Sequence, residues 1–298
     1  MVAEFRNSSD IWSEWLLKHR FGGSEDCQRV TMEAFKPIKD KVIENANLVQ
    51  GSVLLDVGTG DGMIGFGAMQ KVGADGTVIF SDISQPLLDV CKTYATDSGL
   101  LDRCEFVKAD ATDLSAIASE SVDAVTTRSV IIYVQEKQKA FDEFYRVLKP
   151  GGRVSMFEPI AKVGFEFIPK GSSYGGYDIQ PIKELMKKTV EAHQAQHDSQ
   201  NTMGDFDERD LVNMLRQSGF SLVELELHAR VGTTGERPGG WDVFYNSAPN
   251  PLVPTLRAQV EAALTVEEQE QVIAHLSPLV ESNTGQMAAC IAYVTAVK

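Results

Sequence analysis

Short apolar runs alternate with amphipathic stretches through the first 160 residues of the chain. In the amphipathic stretches the apolar positions recur at helical spacing, as in Gln135–Leu148. The apolar runs are bounded by glycines, acids and turns, which is typical of buried parallel strands. They lie at 53–57, 77–81, 104–110, 122–128 and 153–159. Strands that alternate with helices across short turns predict an α/β fold, a doubly wound parallel sheet with helices on both faces.

Helical patterns also precede the first strand and interrupt the later ones. Ser9 or Asp10 can cap a first helix that Gly22–Gly23 would end, and a second helix runs from about Asp26 to Ala46. After Pro159 the alternation breaks for about 45 residues, in which an amphipathic helix is predicted near 181–198. It resumes with a helix that ends at Gly219 and a strand at 222–231.

A second insertion and a last strand complete the chain. Two helices are predicted in the insertion, the later one opening with the capping-box spacing Thr265-x-x-Glu268. We expect one domain in which the N-terminal helices and both insertions form a lid. Its segments are an N-terminal lid (1–48), a cofactor-binding core (49–159), a cap insertion (160–205), a core helix and strand (206–231), the second insertion (232–285) and the final strand (286–298).

Composition narrows the classes of partner. The 298 residues carry a formal net charge of −14, which argues against general affinity for nucleic acid or an anionic membrane. No run approaches 18 uninterrupted apolar residues and no signal-peptide pattern opens the sequence, so we expect a soluble, cytoplasmic protein. Four cysteines without CxxC spacing favour reduced thiols. Cys91 and Cys104 are expected to lie away from any ligand pocket.

The stretch LLDVGTGDGMIGFGAMQ at 54–70 combines a strand, a glycine-rich turn and a helix start. At such a turn, ligand oxygens would face backbone N–H groups and the positive end of the helix. A P-loop is excluded because no Gly-Lys-Ser/Thr follows. The spacing Gly58-x-Gly60-x-Gly62 differs from the G-x-G-x-x-G of dinucleotide sites, but glycine spacing alone discriminates weakly.

Three acids at the ends of successive strands discriminate better. Asp56 precedes the glycines, where it suits an ammonium group and would repel a pyrophosphate. Asp82 ends the second strand, where a carboxylate can accept from both ribose hydroxyls, and Asp110 could accept from an adenine amino group. Together they suit a cationic, unphosphorylated nucleoside. Each acid could instead cap a helix or a turn.

These residues form the ordered motif set of a known family. The stretch Asp56-Val-Gly-Thr-Gly-Asp-Gly62, Asp82, Ala109-Asp110-Ala111 and Leu148-Lys-Pro-Gly-Gly152 resembles the class I S-adenosylmethionine-dependent methyltransferases. The resemblance is closest to the group that includes the ubiquinone/menaquinone-biosynthesis enzymes, and it covers roughly residues 30–230. It implies a seven-stranded, Rossmann-like sheet whose last strand is antiparallel.

The resemblance also implies roles for individual residues in binding S-adenosylmethionine. Asp56 and the backbone of the Gly58–Gly62 turn would meet the methionine moiety, Asp82 the ribose, and Asp110 the adenine. Ile83 would pack on the adenine, and Arg128 or Ser129 would reach the methionine end. The implied cofactor-binding set is Asp56, Gly58, Thr59, Gly60, Gly62, Asp82, Ile83, Asp110, Ala111, Arg128 and Ser129. Arg128 could equally be a structural ion-pair partner.

Candidates for the chemistry follow the later strands, where an open α/β sheet places its pocket. Glu158 could contact or deprotonate the acceptor, or could pair with backbone groups or with Arg128. Tyr133 could orient the acceptor, or pack in the core. The aromatic residues of GSSYGGYD and PGGWDVFYN suit a mobile lid or simple loop anchors. The spacing His193-x-x-x-His197 resembles a zinc motif but lacks its glutamate and a third ligand, so we expect no metal.

The leading hypothesis is a methyltransferase that acts on an N, O or S atom of a small-molecule acceptor, with S-adenosylmethionine as its cofactor. Its alternatives are a peptide or protein substrate, or a protein that binds the cofactor without catalysis. We expect no nucleic-acid or membrane partner and a monomer or homodimer. A nicotinamide oxidoreductase is disfavoured by Asp56.

Overall fold

The computed structural model describes residues 10–166, 172–196, 202–235 and 238–298. The chain divides into two compact units. The sheet unit comprises Phe35–Lys162, Thr202–His228 and Cys290–Lys298. The helical unit comprises Met1–Ala34, Val163–Asn201 and Ala229–Ala289. The expected single domain, its segment boundaries and the lid remain predictions.

The described residues form nine strands, of which seven belong to one sheet. The strands in chain order are β1 (Val53–Val57), β2 (Thr77–Asp82), β3 (Cys104–Lys108), β4 (Val122–Arg128), β5 (Leu148–Pro159), β6 (Ser173–Tyr174), β7 (Tyr177–Asp178), β8 (Leu222–Thr233) and β9 (Gln286–Val297). The sheet order is β3-β2-β1-β4-β5-β9-β8, and β6 and β7 pair as a separate hairpin. Neighbours from β3 to β5 are parallel, whereas β5 and β9 are antiparallel. The predicted sheet is therefore confirmed.

Helices connect the strands and build the helical unit. They are α1 (Ile11–Glu14), α2 (Glu25–Asn45), α3 (Met63–Val72), α4 (Gln85–Asp97), α5 (Lys137–Val147), α6 (Ala161–Glu166), α7 (Lys183–Gln196), α8 (Glu208–Ser218), α9 (Gly240–Asn246), α10 (Leu256–Ala263) and α11 (Val266–Glu281). A π-helical segment, Trp15–His19, continues α1, and 3-10 turns lie at Leu101–Arg103, Ile131–Tyr133 and Gln180–Ile182. None of the described helices is long and apolar enough to cross a bilayer.

Helix boundaries follow the capping residues of the sequence. Asp207 and Asp210 form a capping box at the start of α8, and Gly219 ends that helix with φ +107°. Thr265 and Glu268 form the predicted capping box of α11. These groups satisfy backbone donors and acceptors that a helix end leaves unpaired.

Each unit has its own core. In the sheet unit, β1, β2 and β4 bury apolar side chains of one parity against α2, α3 and α4; this core includes Leu54, Val78, Phe80, Ala124, Val42, Ile64 and Leu88. In the helical unit, the β6–β7 hairpin packs with α7, α9, α10 and α11; this core includes Tyr177, Met186, Phe244, Val260 and Leu276. The separate cores explain why the chain divides into two units.

Two elements differ from the prediction. The fifth strand, predicted at 153–159, already includes the LKPGG stretch: Leu148 pairs with Val122, and an irregularity follows before Ala124 pairs with Arg153. Such an irregularity lets a strand accommodate extra residues, so the proline and glycines of this stretch lie within β5 and do not precede it. The described residues of the second insertion form three helices instead of two, because the aromatic GWDVFYN stretch forms α9 around the buried Val243 and Phe244.

Candidate functional site

The parallel register brings the ends of three central strands together. Val57 at the end of β1 pairs with Ser81 of β2 on one side and with Thr127 of β4 on the other. Gly58, which follows β1, therefore lies beside Asp82 and Arg128, the last residues of β2 and β4, at the carboxyl edge of the sheet. This is the edge at which open parallel sheets bind ligands.

The glycine turn requires its glycines for backbone conformation and for space. Gly58 has φ +63° and Gly60 has φ +58°, in the left-handed region that residues with a Cβ disfavour. A Cβ on Gly58 would lie 2.4 Å from Cγ2 of Val130, in the turn that follows β4. The turns after β1 and β4 thus touch, and only glycine permits their close approach.

Several N–H groups of the glycine turn are already used inside the protein. Thr59 donates to the Ser81 carbonyl at 3.0 Å, Gly60 to Oδ2 of Asp82 at 2.8 Å, and Gly62 to the Thr59 carbonyl at 2.9 Å. These three N–H groups therefore have acceptors within the protein, and the predicted contact of the turn's backbone with the ligand stays a prediction. A phosphate needs free N–H donors, so this turn is poorly suited to a dinucleotide.

Asp56 holds the glycine turn in place. The Thr59 hydroxyl donates to Oδ2 at 2.7 Å and the Gly65 N–H donates to the same oxygen at 3.1 Å. The Thr126 hydroxyl of β4 donates to Oδ1 at 2.8 Å. Burial raises the pKa of Asp56 to about 6, against the opposing effect of these hydrogen bonds. Its predicted contact with an ammonium group remains a prediction, because the carboxylate is buried and three internal donors engage it.

Asp82 connects the glycine turn to the start of α4. Its Oδ2 accepts from Gly60, and its Oδ1 accepts from the Ser84 N–H at 2.9 Å. The next residue, Ile83, is 48% exposed although it lies between two buried residues. An exposed apolar side chain beside a buried acid provides a surface on which an apolar ring can pack.

Asp110 and Ala111 follow β3. Asp110 is exposed, and its Oδ1 accepts from the backbone N–H of Thr112 at 2.8 Å and from the Thr112 hydroxyl at 2.7 Å. The turn-forming role that the sequence left open is thus present. Ala111 is buried. Binding of adenine by this pair remains a prediction.

Arg128 ends β4, and Ser129 begins the turn that follows. The Arg128 guanidinium lies 5.0 Å from the ring centroid of Phe35, a cation–π contact. Burial lowers the pKa of Arg128, while the negative charges of Asp61, Asp56 and Glu158 oppose this shift. Ser129 has φ +57°, an uncommon conformation for a residue with a side chain. A residue in this conformation persists only where the surrounding structure holds it.

Glu158 supplies that constraint. Its Oε1 accepts from the N–H groups of Val130 at 2.9 Å and Ile131 at 3.0 Å, and its Oε2 accepts from Ile132 at 3.2 Å. Burial raises its pKa to about 7, against these hydrogen bonds and the nearby Arg128. Because the side chain has no exposed surface, direct contact with an acceptor gains no support from this geometry. The backbone pairing that the sequence left open is present instead.

Tyr133 ends the 3-10 turn that Glu158 holds, and its side chain is half-buried. Its N–H donates to the Val130 carbonyl at 2.9 Å. Among the predicted catalytic residues it is the one with exposed surface. Its role toward an acceptor stays a prediction.

Two residues near the glycine turn escaped the sequence reasoning. Cys91 of α4 donates from Sγ to the Gly60 carbonyl oxygen at 3.4 Å, so this buried thiol contacts the glycine turn. Its expected distance from a ligand pocket stays a prediction. Burial raises the pKa of this thiol far above its ordinary value. Phe35 of α2 underlies Arg128. Neither residue belongs to a recognisable motif. Both lie in amphipathic helices, where the sequence does not distinguish one apolar position from the others.

The remaining candidates lie elsewhere or outside the described residues. The aromatic residues Tyr174, Tyr177, Trp241 and Tyr245 belong to the helical unit, where they pack with its core. The side chains of His193 and His197 lie outside the described part of the chain. In the described residues, no group of three or more His, Cys, Asp or Glu side chains could hold a metal ion.

The site suits S-adenosylmethionine on two observations. Three N–H groups of the glycine turn donate to acceptors within the protein, whereas a phosphate site would present free N–H donors. Carboxylates and an exposed apolar side chain surround it, which matches a ligand that combines positive charge, ribose hydroxyls and an apolar ring.

Comparison with known proteins agrees with this assignment. The sequence model of the ubiE/COQ5 methyltransferase family matches residues 28–234. A ubiquinone/menaquinone biosynthesis C-methyltransferase UbiE of Francisella tularensis subsp. novicida is 31% identical over 195 residues, which are 63% of this chain and 74% of that protein. Its counterpart from Hydrogenovibrio crunogenus is 28% identical over 188 residues, 62% of this chain and 72% of that protein.

Solved structures share the fold at low sequence identity. A candidate methyltransferase from Bacillus halodurans superposes with a TM-score of 0.53 at 17% identity, covering 87% of this chain and 98% of that one. The YcgJ protein of Bacillus subtilis has a TM-score of 0.51 at 15% identity, covering 87% and 97%. The match of the family model over more than half of the chain decides the assignment. This chain belongs to the ubiE/COQ5 methyltransferase family and is an S-adenosylmethionine-dependent methyltransferase.

Proposed function

We propose that the sheet unit binds S-adenosylmethionine at the carboxyl ends of β1 to β4. Asp82 would accept from the ribose hydroxyls, Ile83 would cover the adenine, and Asp110 with Ala111 would meet its polar edge. The support is that the register and the Gly60–Asp82 bond bring these groups to one edge of one unit.

The bound cofactor supplies a methyl group on a positively charged sulfur. Arg128 would bind the methionine carboxylate. The carboxylates of Asp56 and Asp61 stabilise the positive charge of the Arg128 guanidinium. Asp56 and Glu158 act as positioning residues, since each holds one of the two turns through internal hydrogen bonds. Positioning and exclusion of water are the main demands of methyl transfer.

We further propose a small-molecule acceptor, with a ring carbon of the quinone-precursor class as the first candidate. The support is the similarity to relatives that are named C-methyltransferases of ubiquinone/menaquinone biosynthesis. The match of the family model ends at residue 234, before α9, α10 and α11. The family match therefore does not extend the relatives' acceptor to the segment that holds these helices, so acceptors with nitrogen, oxygen or sulfur are included in the same assay.

Transfer of an isotopically labelled methyl group tests the proposal. The full chain is incubated with labelled cofactor and a panel of hydroxylated aromatic, amine, thiol and peptide acceptors, and the products are identified by mass spectrometry. Label in an aromatic carbon supports the first candidate. Label in a heteroatom or a peptide identifies another acceptor class, and no transfer to any acceptor counts against a small-molecule methyltransferase.

Asp82→Asn tests the cofactor site separately. One of the two carboxylate oxygens would become an N–H₂ donor facing a backbone N–H, so affinity for S-adenosylhomocysteine should fall by about tenfold or more. Asp97→Asn, at the exposed end of α4, is the matched control and should bind normally. Equal affinities of the two variants would remove Asp82 from the site.

A further inference from the structure

The edge strand β8 is long and exposed. It lies last in the sheet order, so no other described strand pairs with its outer edge. Residues 226–233 are all exposed, and Leu227 and Val231 are 41% and 59% exposed. The strand contains no proline and no lysine, which commonly protect such edges. A strand of this kind is a template for another strand.

The charged side chains of β8 alternate along one face in the order Glu224, Glu226, His228, Arg230. The negative charges lie in the first half of the strand and the basic groups in the second. The apolar side chains of Leu225, Leu227, Ala229 and Val231 have the opposite parity and lie on the other face. One continuous strand therefore carries both a charge gradient and an apolar row.

This order is self-complementary in one register. When two antiparallel copies are centred on Leu227, Glu224 lies opposite Arg230 and Glu226 opposite His228, each pair occurring twice. On the other face Leu227 meets its own copy and Val223 meets Val231. A centre at Glu226 places Glu226 opposite its own copy. A centre at His228 pairs Glu226 with Arg230, but it places His228 opposite its own copy and Glu224 opposite Gly232. A parallel, in-register pair would place every like charge together.

The contacts within one chain leave the outer pair of charges available. Glu226 already forms an ion pair with Lys41, and His228 lies 3.5 Å from the same carboxylate. Glu224 accepts a long hydrogen bond of 3.5 Å from the Thr295 hydroxyl. Within the residues that the structure describes, neither Glu224 nor Arg230 has an ion-pair partner. These two are the groups that the antiparallel register pairs.

We propose that the β8 edge binds a second copy of this chain, antiparallel and centred on Leu227, so that the two sheets become continuous. Backbone hydrogen bonds provide the attraction. The Glu224–Arg230 pairs favour this register, because in the register centred on His228 the arginine would meet Glu226, which is already paired with Lys41. The proposal does not depend on which acceptor the enzyme methylates.

Charge reversal and charge exchange test it on the full chain. Sedimentation over a concentration series should show a dimer for the natural sequence. Glu224→Arg places arginine opposite Arg230, so the dissociation constant of the dimer should rise by about tenfold or more. Arg230→Glu should act alike from the other end. The exchange variant that carries both substitutions restores opposite charges and should restore the dimer.

Controls separate the interface from folding. Lys92→Glu, on the exposed face of α4, changes the charge equally and should leave the dimer intact. Melting temperature and S-adenosylhomocysteine binding verify that each variant folds. Leu227→Lys, which places two ammonium groups at the centre, should give monomers. A natural chain that stays monomeric, single reversals that still dimerise, or an exchange variant no better than the single ones would each overturn the proposal.

Discussion

The turns after β1 and β4 are both held by a buried carboxylate, but the carboxylates come from different places. Asp56 lies in β1 itself, directly before the turn that it holds. Glu158 lies at the end of β5 and reaches the turn after β4, 26 to 28 residues earlier in the chain. A local carboxylate is visible in a motif, whereas a distant one is visible only once the strands are paired.

The donors differ as well. Two of the three donors to Asp56 are hydroxyls, which can rotate and can also accept a hydrogen bond. All three donors to Glu158 are backbone N–H groups, which can only donate. The two turns should therefore respond differently when each carboxylate is replaced by its amide.

The contact between the turns should be the most sensitive point. Gly58→Ala forces a Cβ to within 2.4 Å of Val130 and a left-handed conformation on alanine. We expect the free energy of unfolding to fall by about 4 kcal/mol, with a loss of cofactor affinity. Chemical denaturation and calorimetric titration with S-adenosylhomocysteine measure both.

Gly51→Ala is the matched control, because Gly51 has φ +85° but nothing within 4 Å of the added Cβ. It should cost about 1 kcal/mol, the conformational part alone. Val130→Ala in the Gly58→Ala background should recover part of the difference. If the two glycine variants lose equal stability, the turns do not restrain one another.

Replacing Glu158 should have the next largest effect. In Glu158→Gln an N–H₂ group would face the Ile132 N–H, and a buried donor would be left without an acceptor. We expect a loss of about 3 kcal/mol in the free energy of unfolding. Glu105→Gln, exposed on β3, should change it little. A variant that unfolds normally but loses turnover would point instead to a direct catalytic role.

The pH dependence of stability should separate the natural chain from Glu158→Gln. The pKa of Glu158 is about 7 in the folded protein and 4.5 in its ordinary state. Between pH 4.5 and 7 the folded protein therefore keeps a proton on Glu158 that the unfolded chain has released. The contribution of Glu158 to stability is thus largest below pH 4.5 and is lost as pH rises through about 7. Between pH 5 and 8 the natural chain should lose on the order of 2 kcal/mol more than the variant. Parallel curves for the two proteins would show that Glu158 does not titrate in this range.

Asp56→Asn should have the smallest effect. The amide oxygen can still accept from Thr59 and Gly65, and the Thr126 hydroxyl can turn to accept from the amide N–H₂. We expect a change below about 1 kcal/mol. Asp56→Ala removes all three acceptor contacts and should cost about 3 kcal/mol by the same denaturation measurement. If the asparagine variant is as unstable as the alanine variant, the Thr126 hydroxyl does not turn to accept from the amide.

The sheet and the cofactor class could be predicted because their signals are local. A buried parallel strand needs a short apolar run, a glycine turn needs glycines at left-handed positions, and both stand next to each other at 53–62. Gly219 and the Thr265–Glu268 capping box were recognisable for the same reason. In each case the residues that interact are neighbours in the chain.

Only the tertiary structure decided what depends on distant residues. It assigned Glu158 to backbone donors, placed Cys91 under the Gly60 carbonyl and Phe35 under Arg128, and engaged the N–H groups of the glycine turn. Each of these contacts requires pairing of strands or packing of helices that the sequence specifies only collectively. The amino-acid order by itself determined the strands, the turns and the ligand class, because those are set by neighbours along the chain. The working geometry of the site was decided by partners that folding brings together.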